Sequence, residues 1–191
     1  MYQIAINTDK TTAAIALLLR LHQQPMILNH LLKMMYFIDG LSLAQTNTSL
    51  TNDSYLGKQS GLMPKYIPEL IQQLQTDNVV SISSSSANNS GYIALNSYVD
   101  DQTLSELEKA NINRIYQQKK AVNPFNLLDW NYDLEFIKNH VQEKRTILIT
   151  SVDIMRSLGK TEAEVQAYLD TQTSQDDSGD LTAAQLRVKV S

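Results

Sequence analysis

The chain has 191 residues, 42% of them hydrophobic and 19% charged, with a formal net charge of -4 and a sequence pI of about 5.3. That is the make-up of a folding domain of ordinary size, and it disfavours both wholesale disorder and a surface built mainly to neutralise nucleic-acid phosphates. Cysteine is absent, which excludes disulfides and thiolate metal ligands.

Met1 to Asp9 lacks the basic stretch, long apolar run and small-residue cleavage site of a secretion signal. The longest apolar segments, Ala13 to Leu19 and Leu31 to Ile38, fall far short of the ~20 residues that cross a bilayer. A cytoplasmic protein with no membrane span is expected.

Thr11 and Thr12 can cap a first helix that carries Ile15, Leu18, Leu19 and His22 on one stripe. Pro25 interrupts it and suits a first helical turn, so a second helix is expected from about Met26 to Gln45. Its apolar residues, from Ile27 through Met34, Met35 and Phe37 to Leu41, cover most of the circumference, as in a central core helix. Asn47 to Asp53 is polar and turn-rich, and Tyr55 to Gly61 reads as an edge strand or ordered loop.

Pro64 can begin a third helix with Tyr66, Ile67, Leu70, Ile71 and Leu74 at helical spacing, ending near Asp77. Val79 to Ile82 and Tyr92 to Tyr98 have β-type composition around the Ser- and Asn-rich run Ser83 to Gly91, which predicts a hairpin with a mobile tip. Asp101 or Thr103 can cap a fourth helix, with Glu106 completing a capping box and Leu104, Leu107, Ile112 and Ile115 forming its apolar stripe to about Lys120.

Asn123 and Pro124 signal a turn before a further helical segment, Phe125 to Val141, in which Trp130 packs. Thr150 to Leu158, Gly159 and Thr161 to Leu169 read as helix, stop and helix, with Thr161 and Glu164 as another capping box. Thr171 to Gly179 is polar and poor in core residues, so residues 171–191 are expected to be a flexible tail on a folded part spanning 1–170. The fold class expected is α+β: a mostly helical single domain with a small antiparallel sheet.

The segment His30-Leu-Leu-Lys-Met-Met-Tyr-Phe-Ile-Asp39, followed by Thr51-Asn-Asp-Ser-Tyr-Leu-Gly-Lys58 and Gly61-Leu-Met-Pro64, resembles the Panacea family of SocA-like antitoxin domains. The family's Leu-Ser-x-x-Glu helix start is similar to Leu104-Ser105-Glu106-Leu107-Glu108 here, whereas Leu62 stands where the family's turn has its first proline. The resemblance covers roughly residues 11–120. It implies a mainly helical domain with a small sheet that neutralises a partner toxin by direct contact and is often encoded beside that toxin. Related domains occur in phage and prophage genomes, so the same resemblance admits an inhibitor of a host defence complex such as a CRISPR effector, an anti-CRISPR. Both readings make the chain a non-catalytic inhibitor whose partner is a protein.

The only histidines are His22, His30 and His140, and no pair has the i, i+4 spacing useful for zinc, so no metal site is expected and structural roles are. No GxSxG elbow, GxGxxG or GxxxxGK[ST] loop occurs, which removes the usual signatures of serine hydrolysis and nucleotide binding; neither catalytic residues nor a cofactor are expected. Ser151 to Leu169 has helix-turn-helix order, which makes a DNA-binding regulator the rival reading. Its second helix carries Glu162, Glu164 and Asp170 and no lysine or arginine, the wrong charge for docking on phosphates. Asp176, Ser178, Gly179 and Asp180 are similar to the middle of an EF-hand loop, but Ser174 and Gln185 stand where two carboxylate ligands belong, and a solvated acidic tail is the reading adopted.

Tyr55, Lys58, Tyr66 and Tyr92 are the partner-contact candidates, because tyrosines add interface area at low entropic cost; the competing reading is that they cover the edge of the core. Oligomeric state has no signature in the sequence. Deleting residues 174–191 is expected to leave the melting temperature unchanged in a thermal unfolding experiment, since that segment lacks a convincing core face.

Overall fold

The computed structural model describes residues 6–58, 61–84, 91–123 and 146–172. The hairpin tip, the segment Phe125 to Val141 with Trp130 and His140, and the tail with its EF-hand-like run therefore lie outside the described residues, apart from Ser83, Ser84 and Gly91 at the two ends of the tip and Thr171 and Gln172 at the start of the tail. Helix α1 (Thr8–His22) is capped not by Thr11 or Thr12 but by Asn7, whose side chain accepts from the Lys10 amide at 3.2 Å. Thr11 is fully buried in the helix it was expected to cap. Asp9 in the first turn and Arg20 and His22 in the last complement the helix dipole.

Pro25 does not open the second helix. Met26–Ile27 form strand β1, and α2 (Leu28–Thr46) follows directly. The extended backbone lets Met26 and Ile27 pair with Ile93 and Tyr92 while Met26 becomes completely buried, so tertiary pairing outweighs the local preference for a helical first turn. β2 (Tyr55–Lys58) pairs antiparallel with β3 (Gly61–Pro64) on one side and β6 (Ile147–Ile149) on the other. It is thus the central strand of its sheet, not an edge strand; the three-residue partner 147–149 is too short to show a period in the sequence.

Pro64 ends β3 opposite Tyr55 instead of starting a helix. Helix α3 (Ile67–Thr76) begins three residues later, with Pro68 in its first turn and Asp77 as its C-cap. The hairpin forms as expected, from β4 (Val80–Ser84) and β5 (Gly91–Leu95) in continuous antiparallel register. Two three-stranded sheets result, in the orders β1-β5-β4 and β3-β2-β6.

Helix α4 (Glu106–Lys119) starts at the Leu-Ser-Glu-Leu-Glu motif. Ser105 accepts from the Glu108 amide, and the Glu108 carboxylate accepts from the Ser105 amide at 2.7 Å. The cap is therefore Ser105 with Glu108, not Asp101 or Thr103 with Glu106. Leu104, Ile112 and Ile115 are buried, but Leu107 is 48% exposed and lies off the stripe. Salt bridges from Lys10 to Glu108 and from Arg20 to Asp101 hold α1 against this corner.

The last helices are α5 (Ser151–Ser157), capped by Thr150 and Asp153, and α6, residues 162–172. Gly159 between them has φ +76, the left-handed conformation that favours glycine. Thr161 and Glu164 form the expected capping box.

Among the described residues there are six helices, packed around two apolar clusters. The larger joins α1, α2, α3, α4 and the sheet β1-β5-β4; the smaller joins Leu43, Tyr55, Leu62 and Ile149 to Ile154, Met155, Val165 and Tyr168. Helix α2 contributes to both, and Tyr36 packs against each. This is a single α+β domain with α2 at its centre. Because Ile112 is completely buried and Leu107 is not, Ile112→Ala should lose about 2–5 kcal/mol in urea unfolding while Leu107→Ala should stay within about 0.5 kcal/mol of the parent.

Candidate protein-binding site

The motif residues converge on a buried polar hub. Asp39 projects from α2, and its carboxylate accepts from the backbone amides of Leu50 and Thr51, each at 2.9 Å, from the Thr51 hydroxyl, and from the Tyr55 hydroxyl at 2.6 Å. Asp53 lies 14 residues before Ile67 and takes the place of a local cap on α3, accepting from the amides of Tyr66 and Ile67 at 2.9 to 3.1 Å. Both aspartates are 1% exposed.

Burial raises the pKa of Asp39 above the usual carboxylate range, opposed in part by its hydrogen bonds, and pushes Asp53 up to about 6 against the pull of the α3 amides. The Tyr55 phenol is raised well above its ordinary value by burial and by the neighbouring Asp39, so it stays a donor. The hub has the chemistry of a fastener: every group is inside, and no open position faces solvent for a substrate. Sequence reasoning quoted Asp39, Thr51 and Asp53 within a motif but assigned them no role. The signal was available, since Asp39 is the one carboxylate of α2 and follows the apolar run Met34 to Ile38.

The four contact candidates do not form one surface. Tyr55 is fully buried, its ring edge-on to Tyr36 at 5.1 Å, and is corrected from contact residue to core residue because its hydroxyl finds a partner in Asp39. Lys58 ends β2, its backbone opposite Gly61. Tyr66 is half-buried at the start of α3, with Lys65 Nζ donating to its hydroxyl at 2.7 Å and standing 4.5 Å from its ring centre. Tyr92 is 37% exposed in the middle of β5.

Residues opposite each other in an antiparallel pair share a face. Tyr92 stands between Ile27 and Ser83, with Ser81 opposite Ala94 beside them. Ile93 and Val80 point the other way, into the core. The outer face of β1-β5-β4 is thus an aromatic flanked by small and aliphatic side chains, and none of the three strands contains a charged residue. Depletion of charge around a tyrosine is what the centre of a protein interface looks like.

The described histidines are structural. His30 is 5% exposed, its Nε2–H donates to the Lys119 carbonyl at 3.1 Å, and burial lowers its pKa. His22 stacks edge-on against Tyr116. Among the described residues no group of three His, Asp or Glu side chains could hold a metal ion, and no helix is long and apolar enough to cross a membrane. Helices α5 and α6 have helix-turn-helix order, but α6 buries Val165 and Tyr168 and turns Glu162 outward to a bidentate pairing with Arg156. Glu164 is held down to about 2 by the Thr161 amide and hydroxyl and pairs with Lys160, and α6, which carries no lysine or arginine, has no cation of its own for a DNA phosphate.

A family described as antitoxin SocA-like, Panacea domain, matches residues 31–136, more than half of the chain. The match begins inside α2, takes in the hub, both strands of β2-β3, α3, the hairpin and α4, and agrees with the resemblance carried by the motif. No curated protein matches, and no solved structure does.

The raised pKa of Asp53 has a sign that can be measured. The folded state holds this proton more tightly than the unfolded one, so its contribution is fully present below about pH 4 and is lost as pH rises through about 6. Asp53→Asn cannot titrate. Urea unfolding at pH 4.5 and 7.5 should show the stability difference moving in favour of the variant by on the order of 2 kcal/mol as pH rises.

Proposed function

Because the chain belongs to the SocA-like antitoxin family with its Panacea domain, we propose that it binds a partner toxin and neutralises it by direct protein contact. The family match over residues 31–136 carries this reading. Binding, not catalysis, is the activity, and the cytoplasm is where it takes place. The binding domain extends through α6 to residue 172, where Gln172 is buried, and residues 173–191 act as an appendage.

The contact surface centres on Tyr92 and the uncharged outer face of β1-β5-β4, with Tyr66 and Lys58 as further contacts. A half-exposed tyrosine in the middle of a strand is a pre-organised anchor, because the sheet has already restricted its rotamers before the partner arrives. The hub keeps this surface rigid from behind. Asp39 and Asp53 tie α2 to β2 and α3, and α2 in turn packs on β5.

The test is co-expression with the product of the adjacent gene. Growth arrest by that product alone, relieved by this chain, together with a one-to-one complex that survives nuclease treatment and high salt, is the expected outcome. No arrest, or relief without a complex, would remove direct neutralisation. Tyr92→Ala should weaken the complex by about tenfold, the scale of an interface anchor of more than 1 kcal/mol, with the melting temperature unchanged.

A further inference from the structure

The uncharged face is small. The five-residue strands β4 and β5 are about 17 Å long and β1 has only two residues, so at a strand spacing of about 4.8 Å the face is a patch of roughly 200 Å², a fraction of the ~800 Å² that a stable interface takes from each partner. Something next to the face must add to it, and the neighbouring feature with unused binding capacity is the free side of β4.

The hydrogen-bond phase of the hairpin identifies which groups are unused. The Asn96 amide donates to the Val79 carbonyl at 2.9 Å, and antiparallel pairs alternate between bonded and non-bonded. The bonded pairs with β5 are therefore those of Ser81 with Ala94 and Ser83 with Tyr92, and the amides and carbonyls of Val80, Ile82 and Ser84 turn outward. No other strand lies beyond β4 among the described residues. Val80 is 1% exposed and enclosed, so the open section is Ile82 and Ser84, each offering one donor and one acceptor.

Edge strands in soluble proteins are blunted by proline, by charge or by a bulge. Val80-Ser-Ile-Ser-Ser84 has none of these, and its register with β5 runs without interruption over five pairs. The opposite edge of the same sheet is different, since β1 has only two residues and Pro25 directly precedes it. Among the described residues one edge is closed and the other is left as a template.

We infer that the partner adds an extended strand to β4, pairing its backbone with Ile82 and Ser84 and laying alternate side chains on the face that carries Ser83 and Tyr92. The chemistry selects the occupant, because only an extended chain presents donors and acceptors alternating at the spacing of a strand. This rests on the toxin-binding reading and specifies the form of the contact: main-chain bonds supply affinity, and the tyrosine face discriminates between side chains.

Two variants and one spectroscopic measurement on the full chain test it, with the purified adjacent-gene product as probe. Ser84→Pro removes the outward amide at an edge position that tolerates proline, whereas Ser84→Ala keeps it. The proline variant should bind about tenfold or more weakly and the alanine variant within about twofold of the parent, the difference expected for one lost and unreplaced main-chain bond, with both melting like the parent. By hydrogen exchange, the Ile82 and Ser84 amides should exchange freely in the unbound chain, unlike those of Ser81 and Ser83, and become protected in the complex.

Equal binding by a folded Ser84→Pro variant, with Ile82 and Ser84 still exchanging freely in the complex, would overturn the strand pairing and leave neutralisation standing. Protection that appears in the unbound chain and grows with its concentration would assign the edge to a second copy of this chain instead. Absence of any complex with the parent chain would overturn both the neutralisation reading and the pairing that depends on it.

Discussion

The carboxylate of Asp39 is buried on the central helix, and four donors close on it from one short stretch of chain, the Leu50 amide, the Thr51 amide and hydroxyl, and the Tyr55 hydroxyl. A buried ion costs several kcal/mol even after relaxation. Donors to a charged acceptor contribute about 1.5–3 kcal/mol each, so four of them are of the size needed to offset that cost. Burial still leaves the pKa of Asp39 raised, so desolvation outweighs these donors, and removing one of them would disfavour the charged form further.

That geometry decides how the two halves of the domain are joined. The turn 47–53 has left-handed residues at Asn47 and Asn52 and little apolar content of its own. Its course is set by the hub, which brings Tyr55 under α2 and so seats the sheet β3-β2-β6 and the smaller apolar cluster against the larger one. Asp53 then hands the constraint on by capping α3 from a distance, and α3 leads directly into β4, with the Val79 amide donating to the Leu74 carbonyl at 2.8 Å. A continuous chain of bonds thus links the motif in α2 to the strand whose free edge faces outward.

For the partner binding proposed above, this arrangement has a physical use. Affinity depends less on area than on how little freedom is lost on binding, and the sheet β1-β5-β4 packs against α1, α2 and α3, whose positions the hub and the Lys10–Glu108 and Arg20–Asp101 bridges help to fix. On the proposed function the motif residues support the contact surface without belonging to it: they hold α2, β2 and α3 together, while the proposed surface has the strand sequences Val-Ser-Ile-Ser-Ser and Gly-Tyr-Ile-Ala-Leu.

The sequence alone carries most helices and the hairpin, because apolar spacing and capping boxes such as Thr161 with Glu164 are local properties that short windows of chain contain, whereas Pro25 and Pro64 suggested helix starts where strands form. It also determined the family, through residues 30–64 and the Leu-Ser-Glu-Leu-Glu start. Only the tertiary structure decided that Met26 and Ile27 extend to meet β5, that β2 is central because residues 147–149 return to it, and that Tyr55 belongs to the interior. The strand pairings reach across 65 to 94 residues and the Tyr55–Asp39 bond across 16, and a contact between such positions has no period, cap or turn signature. Whether an amphipathic tyrosine faces a partner protein or a buried carboxylate is decided by what the fold places beside it.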